Sequence, residues 1–185
     1  MKKKKTIKKK KCTANNSKNK WDSAINVSDR VELNSVRLIA SNCQQNPTCP
    51  PGQKACDIEK TVRFDVDKGQ NIIGVFVNIV LHAFGENIEQ KKENSFLKID
   101  ATFLLLYHIK SLEGLGDEDF RNFAELNGVY NAWPYWREFV QNITGRMELP
   151  TLTIPVFRIV SPPKTKSPKK ELVGKTRRKT RKKNN

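Results

Sequence analysis

Four stretches of the chain alternate apolar and polar residues with a period of two, which predicts β-strands. The first runs from Val31 to Ala40, and its alternation slips once near Ser35, as a β-bulge would cause. The second covers 61–66, and two longer stretches follow at 72–84 and 96–109. A short polar segment joins the two long stretches. They therefore predict an antiparallel hairpin, and with the first strand a meander.

After the fourth strand the apolar period changes to the 3.6 residues of a helix. A first helix is predicted to end at Gly128, and a second to begin at Pro134, because proline is favoured in a first helical turn. The second helix should stop at Pro150, before a short extended segment at 152–156. Its apolar stripe consists of Trp136, Phe139, Val140, Ile143 and Met147. The order predicts an α+β fold, an antiparallel sheet of about four strands followed by two C-terminal helices packed on it.

The two long strands carry apolar residues on both of their faces. One face is apolar throughout, whereas the other mixes polar and apolar positions. The apolar members of this second face are Phe76, Val80, Leu104 and Leu106. Helices on one side of the sheet leave these side chains uncovered, so they predict a partner surface. The same excess of apolar area predicts a homo-oligomer, a tetramer or at least a dimer.

Basic side chains are concentrated at the two ends of the chain. Residues 1–20 contain ten Lys and no acid, residues 161–185 contain eleven Lys or Arg and one Glu, and residues 21–160 have a net charge of −4. Like charges repel and bury no apolar area, so we expect disordered basic tails at 1–22 and 161–185 around a domain at 23–160. Such tails favour contact with RNA or an anionic membrane surface, or serve only to keep the protein soluble.

The sequence contains none of the common catalytic or cofactor-binding motifs. It has no Gly-rich phosphate loop, no nucleophile elbow and no zinc-protease helix motif. Cys43, Cys49 and Cys56 are spaced too widely for the usual zinc pairs, so free thiols are favoured, and a Cys43–Cys56 disulfide would require an oxidising compartment. His82 and His108 are interpreted as ordinary sheet residues. We therefore predict that the protein is not an enzyme and uses no metal or cofactor.

The lysine-rich N-terminus does not have the pattern of a secretory signal. No apolar stretch of roughly 7–15 residues follows it. The longest apolar run, around Phe103 to Leu106, is far too short to span a bilayer. We expect the protein to be cytoplasmic.

An aromatic segment between the two predicted helices is the most distinctive feature of the chain. Residues 130–138 hold two of the three Trp and two of the three Tyr residues. This composition is compatible with a packed aromatic corner or with a platform for apolar side chains of another polypeptide. Aromatic rings fill large apolar pockets at low entropic cost, and Tyr and Trp tolerate a half-solvated rim.

The same segment resembles the Phe-Pro-Tyr-Ala-Arg-Glu signature of the SecB protein-export chaperones. In the run Trp133 to Glu138, the matching positions are Pro134, Tyr135, Arg137 and Glu138, and Trp136 replaces the small residue. Residues 146–156 are similar to the family's Arg, then Phe-Pro, then alternating Leu segment. The strand-like stretches follow the family's order, so the resemblance covers about residues 28–160.

The resemblance implies a sheet with two C-terminal helices, a dimer of dimers and no enzymatic activity. Members of the family hold unfolded precursor polypeptides in long hydrophobic grooves for export, and many deliver them to the SecA motor. Carried over by position, the groove residues would be Tyr130, Trp133, Tyr135, Trp136, Phe76, Leu104 and Leu106.

Two departures from the family argue against docking on SecA. The C-terminus is basic where typical members end in an acidic or metal-binding tail. Acidic positions used for docking correspond here to Ser35, Ile39 and Ile99. The leading hypothesis is therefore a chaperone that holds unfolded polypeptides, with SecA as a doubtful partner and a toxin–antitoxin-associated chaperone as a variant. The alternative is a nucleic-acid- or ribosome-binding protein that acts through its basic tails, although a net negative domain disfavours it.

Overall fold

The computed structural model describes residues 19–47, 55–85 and 92–158. These residues form an α+β fold with one helix before a four-stranded antiparallel sheet and a helical region after it. The elements are α1 (Lys20–Ser28), β1 (Val31–Gln45), β2 (Ala55–Asp67), β3 (Ile72–Phe84), a 3₁₀ turn (Lys92–Asn94), β4 (Leu97–Ile109), α2 (Asp117–Phe123), a π-helical turn (Ala124–Gly128) and α3 (Val129–Arg146).

The strand order across the sheet is β1-β4-β3-β2. Strands β2, β3 and β4 form a meander, but β1 pairs with β4 and not with β2, so the prediction that the first strand belongs to the meander was wrong. The two most apolar strands, β3 and β4, take the centre, where each pairs with a strand on either side. The predicted bulge is confirmed by a register shift between Leu33 and Ser35, and a second shift lies between Leu38 and Ala40.

The helices cover one face of the sheet, which we call the helix face. Its centre consists of fully buried side chains of β3 and β4, namely Ile73, Val75, Val77, Ile79, Leu81, Ile99, Ala101 and Leu105. The opposite face, called here the outer face, is only partly buried in β3 and β4. The alternation along the strands therefore assigned these residues to two faces correctly, because successive side chains point to opposite sides of a strand.

The two predicted C-terminal helices are one continuous helical region with a π-helical turn in the middle. Gly128 does not end a helix. It packs so closely against β3 that a Cβ added to it would lie 2.7 Å from Cγ1 of Val75. Glycine is required there by close approach to the sheet. Pro134 is inside α3 and not at its start. Its exposed position lets water solvate the helix carbonyl group that it leaves without a donor.

Helix α1 was not predicted from the sequence. Its Val27 is fully buried, and the Nδ2 group of Asn127 donates a hydrogen bond of 2.7 Å to Oγ of Ser28. Helix α1 begins at Lys20, so it includes residues 20–22 of the segment expected to be a tail. The other residues of the expected tails lie outside the described residues, except Asn19, which caps α1.

The cysteine and histidine candidates do not come together. Cys43 lies on β1 and Cys56 on β2, at opposite edges of the sheet. Three strand spacings separate them by about 14 Å, far beyond the ~7 Å between Cα atoms that a disulfide allows, which excludes the less favoured alternative of a Cys43–Cys56 disulfide. Cys12 and Cys49 lie outside the described residues. His82 and His108 lie at opposite ends of the β3–β4 hairpin, opposite Lys98 and Ile72. No cluster of metal-ligating side chains occurs within the described ranges.

Candidate functional site

Residues 149–157, called here the return segment, run back along α3. The chain reverses at Glu148, whose φ is 55°. The backbone N–H of Leu152 then donates to Oγ1 of Thr144 at 3.4 Å, and the side chain of Leu152 is buried. The sequence predicted a short extended segment at 152–156, and the structure pairs it with no strand of the sheet. The segment is instead attached to α3 by side chains of the helix.

Two side chains of the aromatic segment hold the return segment in place. Nε of Arg137 donates to the carbonyl oxygen of Ile154 at 2.7 Å, and Nε1 of Trp133 donates to that of Pro155 at 2.7 Å. Both bonds use carbonyl groups that no strand partner satisfies. Arg137 is a residue of the Pro-Tyr-x-Arg-Glu pattern, so the structure gives this motif a physical role, which is to position the return segment.

A cavity of about 220 Å³ opens between the start of α3 and the end of the return segment. It is lined by Leu33, Tyr130, Asn131, Trp133, Pro134, Arg137, Val156 and Phe157, and we call it the groove. Leu33, Tyr130 and Val156 are exposed at its rim. Apolar side chains that stay in contact with water around a concave surface are typical of a site for an apolar ligand.

Trp133 forms the buried base of the groove. Its ring lies 5.2 Å from that of Phe157, and Nζ of Lys60 lies 5.8 Å from the Trp133 ring and 4.8 Å from the Phe157 ring. Phe157 also lines a second cavity of about 400 Å³, which is shared with Lys60 and Thr61. An aromatic pair with a cation above it therefore separates two neighbouring cavities.

Asn131 connects the groove to the core. Its Nδ2 group donates to Oη of Tyr107 at 3.0 Å. Burial raises the pKa of Tyr107 to about 12, against the opposing effect of the Asn131 hydrogen bond. Tyr107 is therefore neutral at ordinary pH and serves to fix the first turn of α3 on β4.

The structure places only part of the predicted groove set around this cavity. Tyr130 and Trp133 line it, together with the motif residues Pro134 and Arg137. Tyr135 is exposed on α3 but does not line the groove, and Glu138 lines a neighbouring cavity with Pro134 and Arg137.

Trp136 was wrongly included among the groove residues. Its side chain is fully buried in the core, with its ring 6.3 Å from that of Phe139. The helical stripe that contained Trp136 had already indicated a core position, because the residues of an apolar stripe at helical spacing face the interior.

The three sheet residues assigned to the groove lie on the outer face, away from α3. Phe76 is paired with Leu104, and Leu106 lies opposite Gly74, so the three form one patch there. Within one chain they do not form one groove with Tyr130 and Trp133, and a role of these three residues in client binding stays a prediction. The positions that correspond to acidic SecA-docking residues do not form one exposed surface either, because Ile99 is fully buried on the helix face.

Sequence reasoning missed four residues that line the groove. These are Leu33, Asn131, Val156 and Phe157. The alternation of residues 152–156 contained a signal for Val156, but periodicity does not reveal which distant element a side chain will meet. None of the described helices combines the length and the apolarity required to cross a bilayer.

Comparison with known proteins gives a consistent set of relatives. The chain is 26% identical over 144 residues to the SecB-like chaperone Rv1957 of Mycobacterium tuberculosis, which covers 69% of this chain and 78% of the relative. The SecB-like chaperone MT2006, from another strain of that organism, matches equally well. No family model matches the sequence.

A solved structure shares the fold. It is that of the M. tuberculosis Rv1957 SecB-like chaperone in complex with a ChAD peptide from the Rv1956 HigA1 antitoxin. The TM-score is 0.63 at 22% identity, and the match covers 75% of this chain and 96% of the other. This likeness confirms the predicted α+β architecture.

Proposed function

We propose, on the premise that this chain is a divergent SecB-like protein, that it is a chaperone which holds unfolded segments of other polypeptides in the groove. The observation that carries the proposal is the exposed apolar rim of Leu33, Tyr130 and Val156 around the buried Trp133. An unfolded segment gains free energy by transferring its apolar side chains from water onto such a surface.

The bound state of the relative supports a polypeptide ligand. In the solved structure, Rv1957 is in complex with a peptide from an antitoxin. For this chain we propose short unfolded stretches as clients, held passively without nucleotide. Whether the clients are export precursors or an antitoxin is decided by which of the two kinds of peptide binds more tightly.

Handover of clients to a SecA-type motor, which the family resemblance implied, stays a prediction. The basic C-terminus and the loss of acidic docking positions argue against it. Binding of RNA or anionic lipid by the basic ends likewise stays a prediction, because nearly all of those residues lie outside the described ranges.

We also propose that the protein is a homo-oligomer, a dimer or tetramer. The patch of Phe76, Leu104 and Leu106 on the outer face is only partly buried by its own chain, and Leu38 and Ile39 are exposed on the edge strand β1. Light scattering at micromolar concentration should give a mass of at least two chains. A mass of 21.2 kDa alone would contradict this proposal.

The groove is tested by replacing, one at a time, two similarly exposed tyrosines of α3. Tyr130 lines the groove with 50% of its surface exposed, and Tyr135 lies outside it with 45% exposed. We expect Tyr130→Ser to weaken binding of an unfolded apolar peptide by about 1–3 kcal/mol, as the loss of an aromatic anchor does, and Tyr135→Ser to leave affinity nearly unchanged.

Affinity is measured by fluorescence anisotropy of a labelled peptide, and holding activity by suppression of aggregation of a chemically unfolded protein. Thermal melting of both variants serves as the control for folding. Equal losses in the two variants would show that the groove is not the binding site. If the unaltered protein neither bound the peptide nor suppressed aggregation, the chaperone proposal would be wrong.

A further inference from the structure

Lys60 breaks the apolar pattern on the helix face of β2. It is paired with Ile79, whose side chain is fully buried on that face. Its neighbours in the same row are partly buried hydrophobic residues packed against the core, namely Ile58, Val62, Phe64 and Val66. A cation in such a row costs packing without any gain in the strand itself. Positions where a local rule is broken are often positions that serve a function.

The surroundings of Lys60 leave its charge available to a ligand. Nζ lies above the rings of Phe157 and Trp133, at 4.8 and 5.8 Å from their centroids. The one carboxylate that lines the same cavity, Glu125, is paired with Lys20. No carboxylate within residues 19–47, 55–85 and 92–158 forms an ion pair with Lys60.

The position of Lys60 relates it directly to the groove. Phe157 lines both the groove and the cavity that contains Lys60, and Trp133 is the base of the groove. A polypeptide whose apolar side chain fills the groove would therefore have its next residues near Nζ of Lys60. The aromatic rings exclude water from one side of the ammonium group, which strengthens its attraction to an anion.

We propose that Lys60 is a specificity-determining residue that binds a carboxylate of the client, so that the protein prefers apolar segments with an adjacent Asp or Glu. This inference rests on the proposed function of the groove. The chemical class of ligand is thus narrower than any unfolded polypeptide: an apolar anchor beside an acidic side chain.

The test uses the full-length protein and two peptides that differ at one position. Both carry the same aromatic and aliphatic segment, followed by Asp in one peptide and by Asn in the other. The unaltered protein should bind the Asp peptide about three- to fivefold more tightly, a difference typical of a partly exposed ion pair. The preference should shrink in about 0.5 M salt, because salt screens exposed charges.

Three variants separate a specific contact from the general positive charge of the chain. Lys60→Met should abolish the preference, and Lys60→Arg should keep it. Lys68→Met is the matched control, since it removes one exposed charge in the turn between β2 and β3 and should keep the preference.

The outcomes that overturn the inference are distinct. Equal weakening of both peptides by Lys60→Met would mean that Lys60 only supports the Phe157 ring. If the preference for the Asp peptide survives in Lys60→Met, other basic residues cause it. If the unaltered protein binds both peptides equally, the groove still binds polypeptides but Lys60 does not select among them. If neither peptide bound the unaltered protein, the proposed function itself would fail.

Discussion

Replacing Trp136 with alanine is expected to lower the free energy of unfolding by about 3–5 kcal/mol, because truncation of a fully buried tryptophan leaves a large cavity. Trp136 is completely shielded from solvent and packs against Phe139. The ring of Phe139 packs in turn against that of Phe103 on β4, with 6.5 Å between the two ring centroids. The substitution therefore leaves Phe139 without its aromatic neighbour on α3, next to the contact that Phe139 makes with the sheet. The measurement is urea unfolding at one fixed protein concentration, since an oligomer's stability depends on concentration.

Trp136→Phe provides the comparison for this prediction. The buried Nε1 of Trp136 has no hydrogen-bond acceptor among the described residues. Phenylalanine removes that unpaired donor while keeping an aromatic ring, so we expect a loss of only about 1–2 kcal/mol. A cost below about 1 kcal/mol for Trp136→Ala would contradict the core assignment. Peptide affinity per folded molecule should be unchanged in both variants.

Replacing Trp133 with alanine is expected to affect stability and binding together. Trp133 is buried, packs against Phe157 and donates to the Pro155 carbonyl, so it supports the fold as well as the groove. We therefore expect a loss of about 3 kcal/mol in the free energy of unfolding. Client affinity should also fall by about tenfold or more, since the base of the groove is removed.

Two further variants, Trp133→Phe and Arg137→Ala, separate the contribution of the Trp133 ring from that of the hydrogen bonds to the return segment. Trp133→Phe keeps a ring and loses one hydrogen bond, at about 1 kcal/mol, whereas Arg137→Ala loses the charge-assisted bond to Ile154, at about 1.5–3 kcal/mol. Hydrogen exchange of the return segment should accelerate in all three variants, because each loses an attachment to α3. Unchanged exchange and unchanged stability in Trp133→Ala would show that the return segment is not held by these bonds.

Two residues that line the groove show that a sequence motif can be recognised before its structural role is known. Pro134 and Arg137 were assigned from a resemblance, and their matching spacing required no knowledge of the fold. The role of Arg137 depends on Ile154, which is 17 residues away and has no sequence signal that links it to the helix. A binding surface made by two segments is therefore only half visible in the sequence.

The sequence by itself determined the strands at the centre of the sheet and the residues that face the core. The reason is that a two-residue period sends alternate side chains to opposite faces, and burial then requires one face to be apolar. The helical stripe likewise indicated a core position for Trp136, which the structure confirms, whereas the family resemblance had placed it in the groove. The α+β class followed from the order of the two periods along the chain.

Only the tertiary structure decided how these elements meet. Gly128 and Pro134 suggested a break in the C-terminal helical region. In the structure, Gly128 instead allows the helical region to pack closely against Val75, and Pro134 is tolerated because it lies on the exposed side of α3. The same holds for the outer face: periodicity placed Phe76 and Leu104 together, but only the packing of α3 on the opposite face separated them from Trp133. Contacts between distant segments, such as Trp133 with Pro155, depend on how the whole chain packs. No local pattern contains that information, because propensity and periodicity report only on near neighbours in sequence.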